Sequence, residues 1–378
     1  MPQPSPDAAY LRRALRLAAR GRYRTSPNPM VGAVVVRAGE VVGEGYHRRL
    51  GGPHAEIEAL RRAGEEARGA TLYVTLEPCD HHGRTPPCTD AVIAAGVRRV
   101  VACHRDPDPR TAGAGFARLR AAGVEVEHGT QAAAAVELNW RYLAAAVFRR
   151  PAVTLKWAMS LDGRVATAAG HSQWISSPAG RRWGLRQREE HDAILVGIGT
   201  ALADDPRLDR RLGLARRANV RVVLDRRLRL PPTARLFEVP GDVLIYTEAR
   251  AEEARGLAES KRALEERGAA VVPLPEVTPA AVLADLYGRG IRSLLVEGGA
   301  GVAAAFVEAG LFDRVGVDVA PLLIGGQRAP GPLAGGGFAT LDEAPRLTGL
   351  RVERHGGDVI LKGYRERCLP DLYASVEA

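Results

Sequence analysis

The sequence is poor in aromatic residues and in long apolar runs, which argues against aromatic-rich cores and against membrane-spanning helices. Aromatic residues make up 5% of the 378 residues, so the hydrophobic cores must depend on alanine, valine and leucine. No run of about 18 apolar residues occurs, so we expect no membrane-spanning helix. The opening stretch, MPQPSPDAAYLRRALRLAAR, lacks a basic start followed by an apolar run. We therefore expect no signal peptide and a cytoplasmic protein.

Cysteine is also scarce, occurring only at positions 79, 88, 103 and 368. In a reducing cytoplasm, a close cysteine pair is more often metal-binding or catalytic than a disulfide. We therefore treat Cys79 and Cys88 as candidates for a metal site. Cys103, at the end of a predicted strand, is expected to be a core residue, and Cys368 has no visible role.

The formal net charge of +9 permits binding to nucleic acid or to anionic small molecules. The basic residues, however, are scattered and mostly interleaved with acidic ones. The densest runs are RRWGLRQR at 181–188 and RRLRL at 226–230. Runs of this kind are usually solvated helix faces and turn edges, and we interpret them in that way.

Short apolar strands alternate with helical patterns along the whole chain, which predicts an α/β fold with parallel pairing in the middle of its sheets. An alanine-rich helix over 131–147 must end before Pro151, and a strand pattern restarts at 152–157. The chain is also long for a single core. We predict a first domain over 1–149, a second over 150–364, and a mobile tail over 365–378.

The stretches GGPHAEIEAL and LEPCDHHGRTPPC carry the strongest chemical signal. A His-x-Glu followed by Pro-Cys and a second cysteine is typical of zinc-dependent nucleobase deaminases. His54 offers a ring nitrogen, and Cys79 and Cys88 offer thiolates, which leaves a fourth tetrahedral position for water. Zinc lowers the pKa of that water toward about 7. Glu56 can then carry a proton to the departing amine.

The same residues also permit a structural zinc site, because His81 or His82 could supply a fourth ligand. The two cysteines are nine positions apart (88 − 79 = 9), whereas the common deaminase pattern is Cys-x-x-Cys. The intervening loop, DHHGRTPP, is polar. A loop of this size beside a metal is expected to shape the choice of substrate.

The second half carries a glycine turn in SLLVEGGAGVAAAF, which reads as strand, turn and helix. Gly298, Gly299 and Gly301 would let backbone amides approach a phosphate at the start of the helix. The pattern is not GxGxxG, and no acidic residue stands at the expected place, so it does not predict a Rossmann site. A glycine turn can also be a simple chain reversal, and Trp174 can be a simple core residue.

Further motifs accompany these sites in both halves. The first half also contains PNPMVG, VGEGYH, YVTLEPCDHHGRTPPCTDAVIAAG and LNWRYL, and the second contains TLKWAMSLDGRVAT, SQWISS, ILVGIGTALADDPRL and VEGG. With them the chain resembles the bifunctional deaminase–reductases of riboflavin biosynthesis, up to about residue 363. The long cysteine loop sets that family apart from other zinc deaminases. The resemblance implies a cytidine-deaminase-like three-layer α/β/α domain followed by a dihydrofolate-reductase-like α/β domain.

The resemblance also implies two consecutive reactions. The first is the zinc-dependent hydrolytic deamination of 2,5-diamino-6-(5-phosphoribosylamino)pyrimidin-4(3H)-one to the corresponding uracil. The second is the NADPH-dependent reduction of the ribosyl side chain to ribityl, giving 5-amino-6-(5-phosphoribitylamino)uracil. We therefore expect a phosphorylated pyrimidine as the small-molecule partner, no nucleic acid or membrane partner, and a homo-oligomer.

The resemblance assigns roles to individual residues. It makes His54, Cys79 and Cys88 zinc ligands, Glu56 the proton carrier and Asn28 a reader of the pyrimidine. The residues that it places against NADPH are Ala158, Trp174, Thr200, Asp204, Gly299, Ala300 and Gly301. The residues that it places around the substrate of the reductase are Ser172, Arg188, Leu208, Arg211 and Glu297.

Three further assignments in the second half are hypotheses. Lys156 and Glu297 could polarise or protonate the opening ribosylamine, so that its C1′ becomes ready for hydride. Arg226 follows a predicted strand at a place where the adenosine 2′-phosphate of NADPH could lie.

The ribose phosphate of the substrate needs fork-shaped donors. Arg188, Arg211 and Arg207 are the candidates. The family motif often reads L-T-x-R, but this chain has Leu208-Asp209-Arg210-Arg211. Either of the last two arginines could bind the phosphate, and the spacing favours Arg211.

Two other functions compete with this interpretation. A nucleic-acid base deaminase with an accessory domain would agree with the net charge, but it predicts a Cys-x-x-Cys loop and clustered basic and aromatic residues. A zinc-stabilised scaffold without activity would leave Glu56 unexplained.

Overall fold

The computed structural model describes residues 5–83, 85–248 and 257–377. The chain divides into two compact units. Unit 1 runs to Arg149 and also includes the chain from Leu369 onward, and unit 2 runs from Arg150 to Cys368.

Unit 1 is built on a five-stranded sheet. Its strands are β1 (Gly32–Arg37), β2 (Glu40–Tyr46), β3 (Thr71–Val74), β4 (Arg99–Ala102) and β5 (Glu125–His128). Its helices are α1 (Pro6–Ala18), α2 (Ala55–Ala63), α3 (Cys88–Ala94), α4 (Ala114–Ala121) and α5 (Ala132–Phe148), with short 3-10 helices at Ala19–Gly21 and Gly64–Ala67. The strand order is β2-β1-β3-β4-β5. Strand β1 is antiparallel to β2 and β3, whereas β3, β4 and β5 are parallel.

Both faces of this sheet are covered by helices. Side chains alternate across a strand. Ala33 and Val35 of β1 accordingly join one apolar cluster, which also contains residues of α2, α3 and α4. Val34 and Val36 join another, which contains residues of α1 and α5. Cys103 is fully buried in this second cluster. Unit 1 is therefore the three-layer α/β/α domain that the resemblance implied.

Unit 2 is built on a nine-stranded sheet. Its strands are β6 (Ala152–Ser160), β7 (Ala193–Gly197), β8 (Val220–Leu224), β9 (Val243–Glu248), β10 (Ala269–Leu274), β11 (Ser293–Gly298), β12 (Arg314–Ala320), β13 (Leu347–His355) and β14 (Asp358–Arg365). Its helices are α6 (Pro178–Glu190), α7 (Ile198–Asp204), α8 (Leu257–Glu266), α9 (Pro279–Gly288) and α10 (Ala300–Glu308), with a 3-10 helix at Arg235–Glu238. The strand order is β10-β9-β8-β7-β11-β6-β12-β14-β13.

The seven strands from β6 to β12 pair in parallel, and the β13–β14 hairpin adds two antiparallel strands at one edge. Strand β7 is buried along its whole length, as parallel strands covered on both faces usually are. Ala193 and Leu195 enter one apolar cluster, and Ile194 and Val196 enter the cluster on the opposite face. This arrangement places the carboxyl ends of the parallel strands along one edge, where ligands of open α/β sheets bind.

Two parts of the sequence behave differently from what we predicted. The basic run at 181–188 lies in α6, and this helix is more than a solvated surface element, because Trp183 and Gln187 are buried. The predicted tail is instead largely the helix α11 (Cys368–Glu377). Its buried residues Cys368, Leu372 and Val376 are spaced by four and therefore share one helix face.

In the described part of the chain, every helix is too short or too polar to cross a lipid bilayer.

Candidate active sites

The three predicted zinc ligands come from segments that meet at one end of unit 1. His54 immediately precedes α2, Cys79 follows β3, and Cys88 is the first residue of α3. Helix α2 approaches β2 closely because Gly45 has no side chain. A Cβ at Gly45 would lie 2.3 Å from the carbonyl oxygen of Ala55. Helix starts also favour negative charge, which suits thiolates.

The distances between these ligand atoms fit a zinc ion. His54 Nδ1 lies 3.2 Å from Cys88 Sγ and 3.6 Å from Cys79 Sγ. Zinc bonds of about 2.3 Å to sulfur and about 2.0–2.1 Å to nitrogen would place nitrogen and sulfur about 3.5 Å apart in a tetrahedron. Hydrogen bonds with Cys88 and His54 lower the pKa of the Cys79 thiol, whereas the hydrogen bond with Cys79 and burial raise the pKa of Cys88, so Cys79 is the thiolate of the pair.

The predicted alternative, a four-ligand structural site, finds no support in the described residues. The potential metal group there contains His54, Cys79 and Cys88 alone, with ligand atoms within 4.8 Å of one another. His81 instead places its Nδ1 3.4 Å from Thr111 Oγ1. The cluster therefore keeps one tetrahedral position for a non-protein ligand.

Glu56 is suited to hold a proton next to this cluster. Its side chain is 3% exposed, and burial raises the pKa of its carboxyl group. Its Oε2 has no hydrogen-bond partner among the described residues. A buried, unpaired carboxylate oxygen is costly, so it marks a place where a ligand would complete the hydrogen bonding.

Asn28 lies near the cluster together with a residue to which we had given no role. Asn28 Nδ2 is 3.5 Å from His47 Nε2, and the rings of His47 and His54 stand edge to face with centroids 5.3 Å apart. His47 Nδ1 is 3.0 Å from the carbonyl oxygen of Pro53, which orients the ring. His47 belongs to the VGEGYH motif, but only the tertiary structure places it beside the predicted zinc ligands.

The long cysteine loop is held closed by a side-chain bridge. Thr89 donates its hydroxyl to Asp80 Oδ1 at 2.6 Å, so the neighbours of the two cysteine ligands are tied together. Arg118 binds the same Asp80 oxygen at 2.7 Å and also pairs with Asp90. This bridge fixes the separation of Cys79 and Cys88 across eight intervening residues (88 − 79 − 1 = 8).

An Asp80→Ala variant is expected to bind zinc about 10- to 100-fold more weakly, because residues that orient metal ligands have effects of this size. Competition with a chromogenic chelator measures the affinity. Asp90→Ala is the matched control, since it removes the other partner of Arg118 without touching Thr89. Equal zinc affinities in the two variants would show that the bridge does not position the ligands.

A second buried carboxylate organises the loop that follows β4. Glu77 accepts hydrogen bonds from the backbone amides of Asp106, Gly113 and Phe116 at 3.0–3.1 Å. Asp106 is itself buried and accepts the hydroxyl of Tyr142 at 2.9 Å. Burial raises the pKa of Asp106 to about 7.

This pKa predicts a pH dependence of the stability of unit 1. In the native state Asp106 keeps its proton up to about pH 7, whereas the ordinary value is 3.8. Its contribution is therefore fully present below about pH 4 and is lost as the pH rises toward 7. Calorimetry of wild type and Asp106→Asn between pH 4.5 and 7.5 should show a difference that changes with pH. Parallel curves would contradict the prediction, and the exposed Glu125→Gln serves as the control.

In unit 2 the predicted cofactor residues lie along the carboxyl edge of the parallel strands. Thr200 stands in the first turn of α7, directly after β7, and touches the glycine turn: its Oγ1 lies 3.1 Å from the Cβ position of Gly298 and 3.4 Å from that of Gly299. The other predicted cofactor residues lie on this edge or on the helices that follow its strands: Ala158 on β6, Asp204 at the end of α7, and Ala300 and Gly301 at the start of α10.

Glu297 and Arg188 form a buried ion pair at this edge. Arg188 Nε and Nη2 contact the Glu297 carboxylate at 2.6–3.1 Å. Although burial opposes it, Arg188 and Lys156 hold the pKa of Glu297 below its usual range. Lys156, on β6, lies against α6, with its Nζ 3.1 Å from the Cβ position of Gly184. Glu297 is thus an anion, which leaves Lys156 as the better proton donor of the predicted pair.

The arginines between positions 207 and 211 differ in what they contact: one binds backbone carbonyl oxygens, and the other two lie near the carboxylate of Asp209. Arg210 donates to the carbonyl oxygens of Arg188 and His191 at the end of α6, so it is a structural clamp. Arg211 is half exposed and lies 2.8 Å from Asp209. Arg207 lies near the same carboxylate, at 3.7 Å.

Leu208 does not offer its side chain to a substrate. It is 1% exposed, packs in the apolar cluster beneath the sheet and has a φ of 50°, in the left-handed region that leucine rarely adopts. The role that the resemblance gave it can belong only to its backbone. Glu189, to which we had given no role, holds the following loop by accepting the amides of Leu212 and Ala215.

Trp174 is not a core residue, contrary to the simpler of our two expectations. It is 69% exposed, and the guanidinium of Arg181 lies 4.8 Å from its ring centroid. Ser172, two residues earlier, is partly exposed in the same loop. Arg226 follows β8 and is largely exposed, 3.4 Å from Glu248.

Comparison with known proteins gives the same relatives for both units. The cytidine and deoxycytidylate deaminase zinc-binding region matches residues 4–104, and the RibD C-terminal domain matches residues 151–361. The chain is 43% identical to the riboflavin biosynthesis protein RibD of Escherichia coli over 94% of this chain and 98% of that protein. It is 41% identical to RibD of Aquifex aeolicus, over 94% and 97%.

Solved structures agree with these sequence comparisons. RibD of Acinetobacter baumannii superposes with a TM-score of 0.86 at 39% identity, covering 95% of this chain and 99% of that one. A protein of Thermotoga maritima described as a diaminohydroxyphosphoribosylaminopyrimidine deaminase/5-amino-6-(5-phosphoribosylamino)uracil reductase gives a TM-score of 0.82 at 36% identity, with the same coverage.

Proposed function

The chain belongs to the RibD family of bifunctional riboflavin biosynthesis enzymes, and we propose that its two units divide the family's two reactions between them. Unit 1 deaminates the phosphoribosylated diaminopyrimidine with zinc. Unit 2 then reduces the ribosyl side chain with NADPH. The observation that carries the first assignment is the unpaired, buried Oε2 of Glu56 next to a three-ligand cluster.

In unit 1, His54, Cys79 and Cys88 would hold zinc. When bound, zinc lowers the pKa of a water molecule to about 7 and so supplies a hydroxide that can attack the pyrimidine at neutral pH. Glu56 takes a proton at its free oxygen and delivers it to the departing amine. Burial raises its pKa and so favours the protonated form, from which a proton can be delivered. Asn28 offers its amide to the polar edge of the pyrimidine, and His47, held by Pro53, orients that amide.

In unit 2, NADPH supplies the hydride, and the chain's residues position it and the opened ribosylamine. The glycine turn at 299–301 and Thr200 would hold the cofactor's phosphates, with Ala158, Trp174 and Asp204 along its length. Arg226 remains a proposal for the 2′-phosphate, since its guanidinium is exposed. Lys156 donates the proton, and the charge of Glu297 attracts its ammonium group.

The substrate's phosphate would bind at Arg211, with Arg207 beside it. Arg210 is engaged with backbone carbonyls, and Arg188 is largely occupied by Glu297. Arg188 still has Nη1 without a partner among the described residues, so it can donate one hydrogen bond to the ribosyl chain. Ser172 and the backbone of Leu208 complete this proposed site.

Product analysis with and without NADPH, together with zinc content, tests the whole proposal. Zinc-loaded protein should release ammonia from the diaminopyrimidine nucleotide without NADPH, and NADPH oxidation should occur only after deamination. No ammonia release from the zinc-loaded protein would refute the deaminase assignment. Deamination of RNA, with binding that weakens steeply as salt increases, would favour the nucleic-acid alternative.

We also propose that the protein is a cytoplasmic homo-oligomer. A reducing compartment keeps Cys79 and Cys88 available as thiolates. The edge strand β13 exposes Leu350 and Val352 to 60% and 63%, and an exposed apolar edge strand is suited to pairing with a second copy. Sedimentation of wild type and a Leu350→Lys/Val352→Lys variant tests this. A monomeric wild type would exclude it.

A further inference from the structure

Helix α5 contributes a buried amide to unit 1 at a break in the helix. Asn139 has non-helical φ and ψ of −102° and 16° and is 3% exposed. Its Oδ1 accepts the backbone N–H of Met30, and its Nδ2 donates to the carbonyl oxygen of Met30, both at 2.8 Å. One side chain therefore satisfies both backbone groups of a residue 109 positions away, as a neighbouring strand would.

The segment held by Asn139 forms one side of the candidate deaminase site. Met30 lies two residues after Asn28 and just before β1. Asn28 in turn contacts His47, whose ring stands against that of His54. A shift of the Met30 backbone would therefore move Asn28 relative to the zinc ligands.

One turn further along α5, Tyr142 holds a second segment. Its hydroxyl donates to the buried carboxylate of Asp106 at 2.9 Å. Asp106 begins the loop that contains Thr111, and Thr111 Oγ1 lies 3.4 Å from His81 in the cysteine loop. Asn139, at the break in α5, and Tyr142, just after it, therefore each hold a different segment of unit 1.

These contacts also have a simpler explanation, because buried polar groups are generally hydrogen-bonded. The segments that these contacts hold, however, indicate a role in positioning the site. The contact with Met30 fixes the segment that bears Asn28, and the contact with Asp106 fixes a loop that touches His81 in the cysteine loop. Helix α5 also lies beyond residue 104, where the match to the general deaminase zinc-binding region ends.

We propose that α5 is a template that fixes both sides of the pyrimidine site, and that Asn139 and Tyr142 are positioning residues for substrate selection. This inference rests on the proposed deaminase function. It predicts that loss of either contact weakens substrate binding more than it slows the chemical step, because Glu56 and the zinc ligands remain in place.

The test uses the full-length, zinc-loaded protein with Asn139→Asp, Asn139→Leu and Tyr142→Phe. Asn139→Asp keeps the acceptor and removes the donor, and Tyr142→Phe removes a single hydroxyl with little risk to folding. We expect the KM for the diaminopyrimidine nucleotide to rise about tenfold as the residues that bind it shift, which corresponds to about 1.4 kcal/mol of binding free energy. The kcat, the zinc content and the reduction of pre-deaminated substrate should stay close to wild type.

Leu143→Ala is the matched control, since it removes a buried apolar side chain of α5 without removing a hydrogen bond. It should lower the melting temperature and leave KM unchanged. If Tyr142→Phe and the Asn139 variants behave in the same way as this control, their role is structural and the inference is overturned. If the wild type itself releases no ammonia, the proposed deaminase function fails instead.

Discussion

A Glu56→Gln variant is expected to retain zinc and to lose deamination by about 10³- to 10⁴-fold, the upper range for removal of a general acid–base group. The amide has nearly the same shape as the carboxyl group, so His54, Cys79 and Cys88 should keep their positions. It cannot, however, accept and return a proton. Zinc content by atomic absorption and ammonia release measure the two properties separately.

Glu58→Gln is the matched control, because Glu58 lies on the same helix but faces Arg61 and Arg62 at the surface. It should deaminate at the wild-type rate. Reduction of pre-deaminated substrate should be unchanged in both variants, since Glu56 belongs to unit 1. If deamination and reduction decline together in Glu56→Gln, the assignment of two independent sites is wrong.

The candidate zinc cluster could be predicted because its residues lie at short, recognisable spacings in the sequence. His54 and Glu56 are separated by one residue at a helix start, and the cysteines follow in a fixed order. The two cysteines are nine positions apart and are brought together by the hydrogen bond from Thr89 to Asp80 and by the backbone hydrogen bond from Thr89 N–H to the carbonyl oxygen of Cys79. That bridge joins side chains whose pairing no local pattern specifies.

His47 could not be assigned from its position in the sequence. It ends up beside the zinc ligands because β2 delivers it there and Pro53 fixes its ring. Asn139 is similar, since its partner is 109 residues away. Residues of this kind act through the tertiary fold, and a single sequence carries little information about such pairings.

The reductase site was less predictable, because several of its residues have two possible uses. Arg188 was expected to bind phosphate, but the structure commits most of its guanidinium to Glu297. Leu208 was expected at the substrate, but its side chain is in the core. The α11 helix, in contrast, is indicated in the sequence, because apolar residues occur at every fourth position from Cys368.

A Lys156→Met variant is expected to reduce the deaminated substrate at least about 10²-fold more slowly, because it loses the proposed proton donor. The fold should survive this change. Arg188 continues to neutralise Glu297, and Asp318, which also loses the attraction of the ammonium group, keeps its hydrogen bond with Ser176. Single-turnover reduction monitored by NADPH absorbance measures the rate, and NADPH titration should give an unchanged Kd.

Lys362→Met is the matched control in the same unit. Lys362 lies on β14 and pairs with Glu353 at 2.6 Å, so it carries the same charge without contact to Glu297. Its variant should reduce substrate at the wild-type rate, whereas deamination should be unaffected in both. A Lys156→Met enzyme that binds NADPH and substrate yet reduces at the wild-type rate would show that Lys156 is not the proton donor. Glu297 could not take that role as it stands, because its low pKa keeps it ionised next to Arg188.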